Sequence, residues 1–324
     1  MNTHRTFQAW RGWQGRLGLG LWLLAAGLSL AGVRVMRIWF YQCAWWGFIL
    51  MLDALIARRR GASVILDRPG SFLWLAGASV PFWFLFELIN LATLHNWHYL
   101  GVERVALWRW LGAFVAYATV LPGVMLVYEL LDAWGVKLGR GVRPLRSGAG
   151  WYPGFYAAGA LMLALGLTWP RLFFPLAWLW LIFLLEPLNH RLGAPSLMRF
   201  WQAGDLSPVV RLVLAGLLCG LCWESWNFLS GARWEYTLAY LERPKLFAMP
   251  LAGFLGFIPF ALECYVFTAT LSLVTNGRGW PGQGGPEVRP LPAGRAWLLG
   301  LAGLAFGLWV MWLMDRHLFM GFAA

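Results

Sequence analysis

Residues 87–99 read ELINLATLHNWHY and residues 224–236 read ESWNFLSGARWEY, so the spacing E-x2-N-x6-W-x-Y occurs twice, 137 positions apart. The same offset pairs Pro122 with Pro259 and Tyr128 with Tyr265, six matches of informative residue types without a gap. Upstream, Asp53 followed by Arg58, Gly61 and Ser63 resembles Glu186 followed by Arg191, Gly193 and Ser196 once a few residues are inserted. Self-similarity at a fixed offset marks a repeated structural unit. The residues around the two motifs say what medium that unit lives in.

Of the 324 residues 60% are hydrophobic and 12% charged, with 24 Trp and 22 Phe, and mean hydropathy is +0.60. That charged share is about half that of a soluble domain, which excludes a soluble enzyme and points to the bilayer. Apolar stretches of membrane length lie near residues 17–33, 38–57, 72–94, 106–131, 154–168, 172–188, 209–229, 250–274 and 296–314. Only Trp169, Pro170 and Arg171 separate the fifth from the sixth, as in a tight helical hairpin or one broken helix. Arg5, Arg11 and Arg16 precede the first stretch, which reads as a retained helix rather than a cleaved signal because a later helix is its repeat partner.

The expected fold is therefore all-α: a polytopic membrane bundle of nine transmembrane helices, a tandem four-helix repeat plus one C-terminal helix. Its segments are a cytoplasmic stretch 1–16, a first repeat 17–134, a basic loop 135–150 carrying Lys137, Arg140, Arg143 and Arg146, a second repeat 151–275, a Gly/Pro-rich loop 276–295, and a last helix with its tail 296–324. The net charge of +12 is distributed by topology. Lys and Arg on alternate loops number 17 against 9, which places the N-terminus in the cytoplasm and the C-terminus on the opposite side. Basic residues in short loops, with no Arg and aromatic interleaving, exclude nucleic acid as a partner. Repeats of equal orientation meet about an axis along the membrane normal, where shared sites form.

Asp53, Glu87, Glu129, Glu186, Glu224 and Glu263 fall within apolar segments or their last turns. An ionised carboxylate at the centre of a spanning helix costs roughly 2.5–3.5 kcal/mol, so these acids are expected to face inward. Depth sorts them. Glu263 is mid-membrane; Glu129, one turn beyond the position equivalent to it, can address the same cavity at another depth. Asn90 and Asn227 follow the motif glutamates by three residues, on the same helix face, and are expected to orient the acids. Trp97, Tyr99, Trp234 and Tyr236 lie past the helix ends, where an interfacial belt is the simplest reading, while Trp223 and Trp226 flank Glu224 within the span.

Cys43, Cys219, Cys222 and Cys264 read as small buried core residues. Five histidines are too few for a membrane di-iron site. His95 and His98 are a lone pair, so no metal and no cofactor are expected. No aspartate-rich prenyl-transfer motif, P-loop or G-x-S-x-G occurs.

The chemistry that remains is protonation of an apolar substrate by buried acids, with aromatic faces stabilising the resulting cation. The candidate catalytic residues are Glu263, Glu224, Glu87 and Glu129; Asn90, Asn227, Trp97, Tyr99, Trp234, Tyr236, Trp223 and Trp226 are the candidate substrate-binding residues. The run from Trp234 and Tyr236 through an apolar Gly-rich segment to Pro259 and Glu263, preceded by an acid on the previous helix, resembles the membrane lycopene-cyclase domain family. That resemblance implies duplicated helical units and cofactor-independent, proton-initiated isoprenoid cyclisation or a related lipid transformation; the expected partners are membrane lipids and a hydrophobic small molecule. A second class of reading, a proton-coupled lipid or small-molecule transporter or a membrane assembly factor, uses the same acids as a relay.

Overall fold

The computed structural model describes residues 12–146, 148–238, 243–273 and 293–323. Helices dominate: α1 (Trp13–Leu30), α2 (Arg34–Arg60), α3 (Pro69–Ile89), α4 (Ala106–Tyr117), α5 (Val120–Ala133), α6 (Tyr152–Thr168), α7 (Trp180–Leu192), α8 (Ser207–Leu229), α9 (Phe257–Ser272) and α10 (Ala293–His317). Two short strands, β1 (Trp97–Leu100) and β2 (Arg233–Tyr236), follow α3 and α8.

Among the described residues seven helical stretches are long and apolar enough to cross a membrane: Arg34–Arg60, Pro69–Leu94, Ala106–Ala133, Pro170–Leu192, Ser207–Leu229, Leu251–Ser272 and Trp297–His317. The protein is a multi-pass helical membrane protein. The other two expected stretches are also helical but lie outside that set. Helix α6 has 17 residues, a length of about 25 Å against a hydrocarbon core of about 30 Å. Helix α1 carries Gln14 and Arg16 in its first turn and packs along α2, with Gly18 and Gly47 in contact so that neither position has room for a Cβ. The loop 276–295 falls almost wholly outside the described residues.

The stretch expected as one helix over 106–131 is two, α4 and α5, divided at Ala118 and Thr119. Pro122 has no N–H to donate back one turn, so the ladder breaks there and restarts with Pro122 third in α5. Pro259 stands third in α9, after a short 3-10 turn over Leu251–Gly256. Helix α5 is the central post: every residue from Val120 to Leu131 is buried, and it touches α2, α3, α8 and α9. Helices α8 and α9 approach closely because Gly216 and Gly220 leave room for Phe257.

At one end of the bundle β1 and β2 pair antiparallel, with Trp97 opposite Tyr236 and Tyr99 opposite Trp234. Residues after α10 add a parallel edge, Tyr99 N donating to Leu318 O at 3.1 Å and Met320 N to Tyr99 O at 2.9 Å. Asp315 fixes this end through Arg109 at 2.6 Å and the Trp110 indole N–H at 2.7 Å.

Candidate functional site

Two buried amides build the strand pair. Asn90 Oδ1 accepts from the backbone N–H of Asn96 at 2.7 Å and of Trp97 at 3.3 Å, and its Nδ2 donates to Trp97 O at 2.9 Å. Asn227 does likewise with Trp234, accepting from N at 2.9 Å and donating to O at 3.0 Å. The expected role of Asn90 and Asn227 as orienters of the adjacent acids is corrected by this geometry. Both ends of each amide are spent on backbone that returns over the helix end, where otherwise buried N–H and C=O groups would be orphaned. In the first half the return also needs a wide π-type turn over Asn90–Leu94 and a left-handed His95, with φ of 49°.

That return folds the four motif aromatics inward, so the belt reading of Trp97, Tyr99, Trp234 and Tyr236 is likewise corrected. Glu87 accepts from Trp83 Nε1 at 2.8 Å, Trp97 Nε1 at 3.1 Å, Tyr117 OH at 3.1 Å and Tyr99 OH. Glu224 accepts from Tyr236 OH at 2.6 Å, and that hydroxyl in turn accepts from Trp234 Nε1 at 2.7 Å. Burial, with the neighbouring carboxylates second, pushes the Tyr99 and Tyr236 phenols well above their ordinary range, so both stay hydroxyl donors.

These aromatics wall a cavity of about 360 Å³ between the two halves. Trp83, Trp97, Tyr99 and Tyr117 come from the first half, and Trp178, Trp223, Trp234, Tyr236, Phe257 and Phe260 from the second. Trp83, Trp97, Tyr99 and Tyr117 hand their polar ends to Glu87, and Tyr236 its hydroxyl to Glu224, so the wall is apolar with the two acids just behind it. Trp223 lies at the centre, 4.9 Å from Trp83 and 5.8 Å from Trp234 between ring centroids. Trp226 is off the wall, against Trp45 and Phe48 at 4.9 and 5.5 Å.

Glu263 is fully buried one helical turn beyond the wall residue Phe260. Its Oε1 accepts from Leu181 N at 3.3 Å, and its Oε2 has no hydrogen-bond partner among the described residues. Glu129 does not join the site. It is paired with Arg60 at the other end of the bundle, where Asp132 bonds both Arg60 and, at 3.1 Å, Arg211. Asp53 and Glu186 cap chain turns: Asp53 accepts from Ser63 Oγ at 2.6 Å and Val64 N at 2.7 Å, and Glu186 from Ser196 Oγ and from Met198 N at 2.8 Å.

Tyr41, Tyr117, Trp178 and Phe260 are wall residues that the motif does not contain. Tyr41 and Tyr117 carry the one signal available, a polar tip inside an apolar helix. Among the described residues no group of three or more His, Cys, Asp or Glu side chains could hold a metal ion. No protein-family model matches the chain, and neither curated proteins nor solved structures include a similar one.

Proposed function

We propose that this membrane protein transforms a hydrophobic small molecule of the isoprenoid or related lipid class by acid catalysis within the aromatic cavity. The observation that carries the reading is the pairing of an apolar aromatic wall with the buried carboxyl group of Glu224, reached through the Tyr236 hydroxyl. A proton delivered to a substrate double bond forms a C–H bond, breaks the π bond and leaves a carbocation. Aromatic faces stabilise that cation, a second double bond closes on it, and loss of a proton to a carboxylate restores the neutral product and the acid. Of the proposed acids Glu224, joined to the cavity by Tyr236, is better connected than Glu263, which lies one turn behind it. No cofactor is called for.

The same proposal takes the chain as two four-helix units plus a last helix, with nine crossings and a cytoplasmic N-terminus. In support, Asn90 and Asn227 make equivalent backbone bonds, Asp53 and Glu186 equivalent caps, and Pro122 and Pro259 hold the same helical position. Such a protein binds its substrate where the units meet, as membrane proteins built from repeats do.

The test is conversion of a linear isoprenoid by purified protein, guided by comparing lipids of cells with and without the gene by mass spectrometry. Glu224→Gln is expected to lower turnover by about 100-fold or more, the usual contribution of a positioned general acid. Glu235→Gln, on the exposed side of β2, leaves turnover unchanged. Acids at several depths, with Glu263 between the cavity and the Arg60–Glu129 pair, favour a second reading as proton-coupled transport. Movement of the lipid across liposomes without chemical change would select it.

A further inference from the structure

The two carboxylates behind the cavity wall are not equivalent. Glu87 accepts from Trp83, Tyr99 and Tyr117 on Oε1 and from Trp97 on Oε2, so each of its oxygens has a donor. Glu224 accepts from Tyr236, and its Oε2, on a side chain with no exposed surface, has no partner among the described residues. The sequence accounts for the difference. At the motif offset of 137, Trp83 corresponds to Gly220 and Tyr117 to Phe254, so two donors are missing from the second half. The counterpart of Trp97, Trp234, sends its indole N–H to the Tyr236 hydroxyl instead of to the acid. The Phe257 ring, a wall residue, fills the space beside Gly220.

Nor, among the described residues, does a cation stand beside either acid. Among the described residues the arginines that reach into the bundle pair with other acids, Arg60 with Glu129 and Asp132, Arg211 with Asp132, and Arg109 with Asp315. No ion pair to Glu87 or Glu224 occurs among the described residues. Around Glu224 the rings of Tyr41, Trp223 and Trp234 meet edge to face, with centroids 5.1 to 6.1 Å apart. Edge-to-face contact does not consume both faces of every ring, and a free ring face attracts a cation, the more so where water is excluded.

We infer that the cavity is a binding site for a lipophilic organic cation, an ammonium or phosphonium centre with apolar substituents, held against the Tyr41, Trp223 and Trp234 rings with Glu224, once it has released its proton to solvent, as its counter-ion, while Glu87 is a permanent structural acceptor. The inference deepens the proposed function, since it assigns the same cavity, but it needs binding and not turnover. Division of labour follows from where the donors fall: both oxygens of Glu87 are already engaged by the protein, whereas Glu224 keeps one oxygen that has no partner among the described residues.

Calorimetric titration of the purified protein in detergent, corrected for protein-free micelles, tests it with two ions of equal size and opposite sign. Tetraphenylphosphonium is expected to bind at least about tenfold more tightly than tetraphenylborate, the scale of a desolvated cation–π contact. This comparison uses the unmodified protein and does not depend on any variant folding. Glu224→Gln is expected to lose about tenfold or more of the phosphonium affinity, and Glu87→Gln less than about threefold, because only Glu224 has an unfilled acceptor. Equal binding of the two ions, or equal losses from the two variants, overturns the inference. Phosphonium selectivity in a protein that converts no lipid would sink the enzymatic reading alone.

Discussion

Glu87→Leu is expected to lower the stability of the folded protein by about 2–6 kcal/mol, the sum for two buried donors at about 1–3 kcal/mol each. Four groups lose their acceptor in this variant. The Tyr99 and Tyr117 hydroxyls stand 3.1 Å apart and can bond one another, whereas the Trp83 and Trp97 indoles can only donate. Those two orphaned N–H groups set the size of the effect. The measurement is thermal unfolding in detergent followed by tryptophan fluorescence. Glu87→Gln, which keeps one acceptor oxygen, falls between the variant and the natural protein. A Glu87→Leu protein as stable as the original would mean that the four donors do not depend on this carboxylate.

The second large effect lies at the opposite end of the bundle. Glu129 is fully buried and its cation is Arg60, whose side chain is 27% exposed. Arg60→Met leaves a buried acid without its partner and is expected to cost about 3–5 kcal/mol. Removing both partners, Arg60→Met with Glu129→Met, is expected to recover most of that loss, because desolvation of the two charges largely cancels their attraction. Unfolding midpoints of the two single variants and the double variant form the cycle that isolates the pair. Additive single losses would show that Arg60 and Glu129 are not coupled. Arg211, which bonds Asp132 at 3.1 Å and Val136 O at 3.0 Å, joins α8 to the same cluster. Loss of Arg60 therefore leaves one cation at this junction of the halves.

The membrane class was legible in the apolar stretches, since hydrocarbon thickness dictates helix length directly. So was the burial of Glu87 and Glu224, because acids are costly in apolar helices unless they face inward. What Asn90 and Asn227 do was not legible. Helical spacing puts each amide beside its glutamate, but the backbone that claims it arrives seven residues later, by a return path that helical periodicity does not encode. Trp97, Tyr99, Trp234 and Tyr236 were misplaced for the same reason: a belt and an inward-folded strand have the same composition. Trp178 was invisible because it reaches the cavity from an element outside the motif, and Tyr117 showed no more than a polar tip inside an apolar helix. Asp53 and Glu186, grouped by sequence with the buried acids, cap the turns that begin at Ser63 and Ser196. A serine ten residues after each acid, ahead of a short helix, was a readable capping signal.

The clasp of β1 against β2 makes the length of chain between each asparagine and its tryptophan a fixed dimension of the molecule. Side chains alternate in direction along a strand, so a shift of one residue turns every one of them to the other face. Adding or removing a single codon between Asn90 and Trp97 would turn Trp97 and Tyr99 outward together and take both donors from Glu87, and the same change between Asn227 and Trp234 would take Tyr236 from Glu224. Mutational scanning of these connectors would then show frame-preserving insertions and deletions as far less tolerated than most amino-acid exchanges at the same sites.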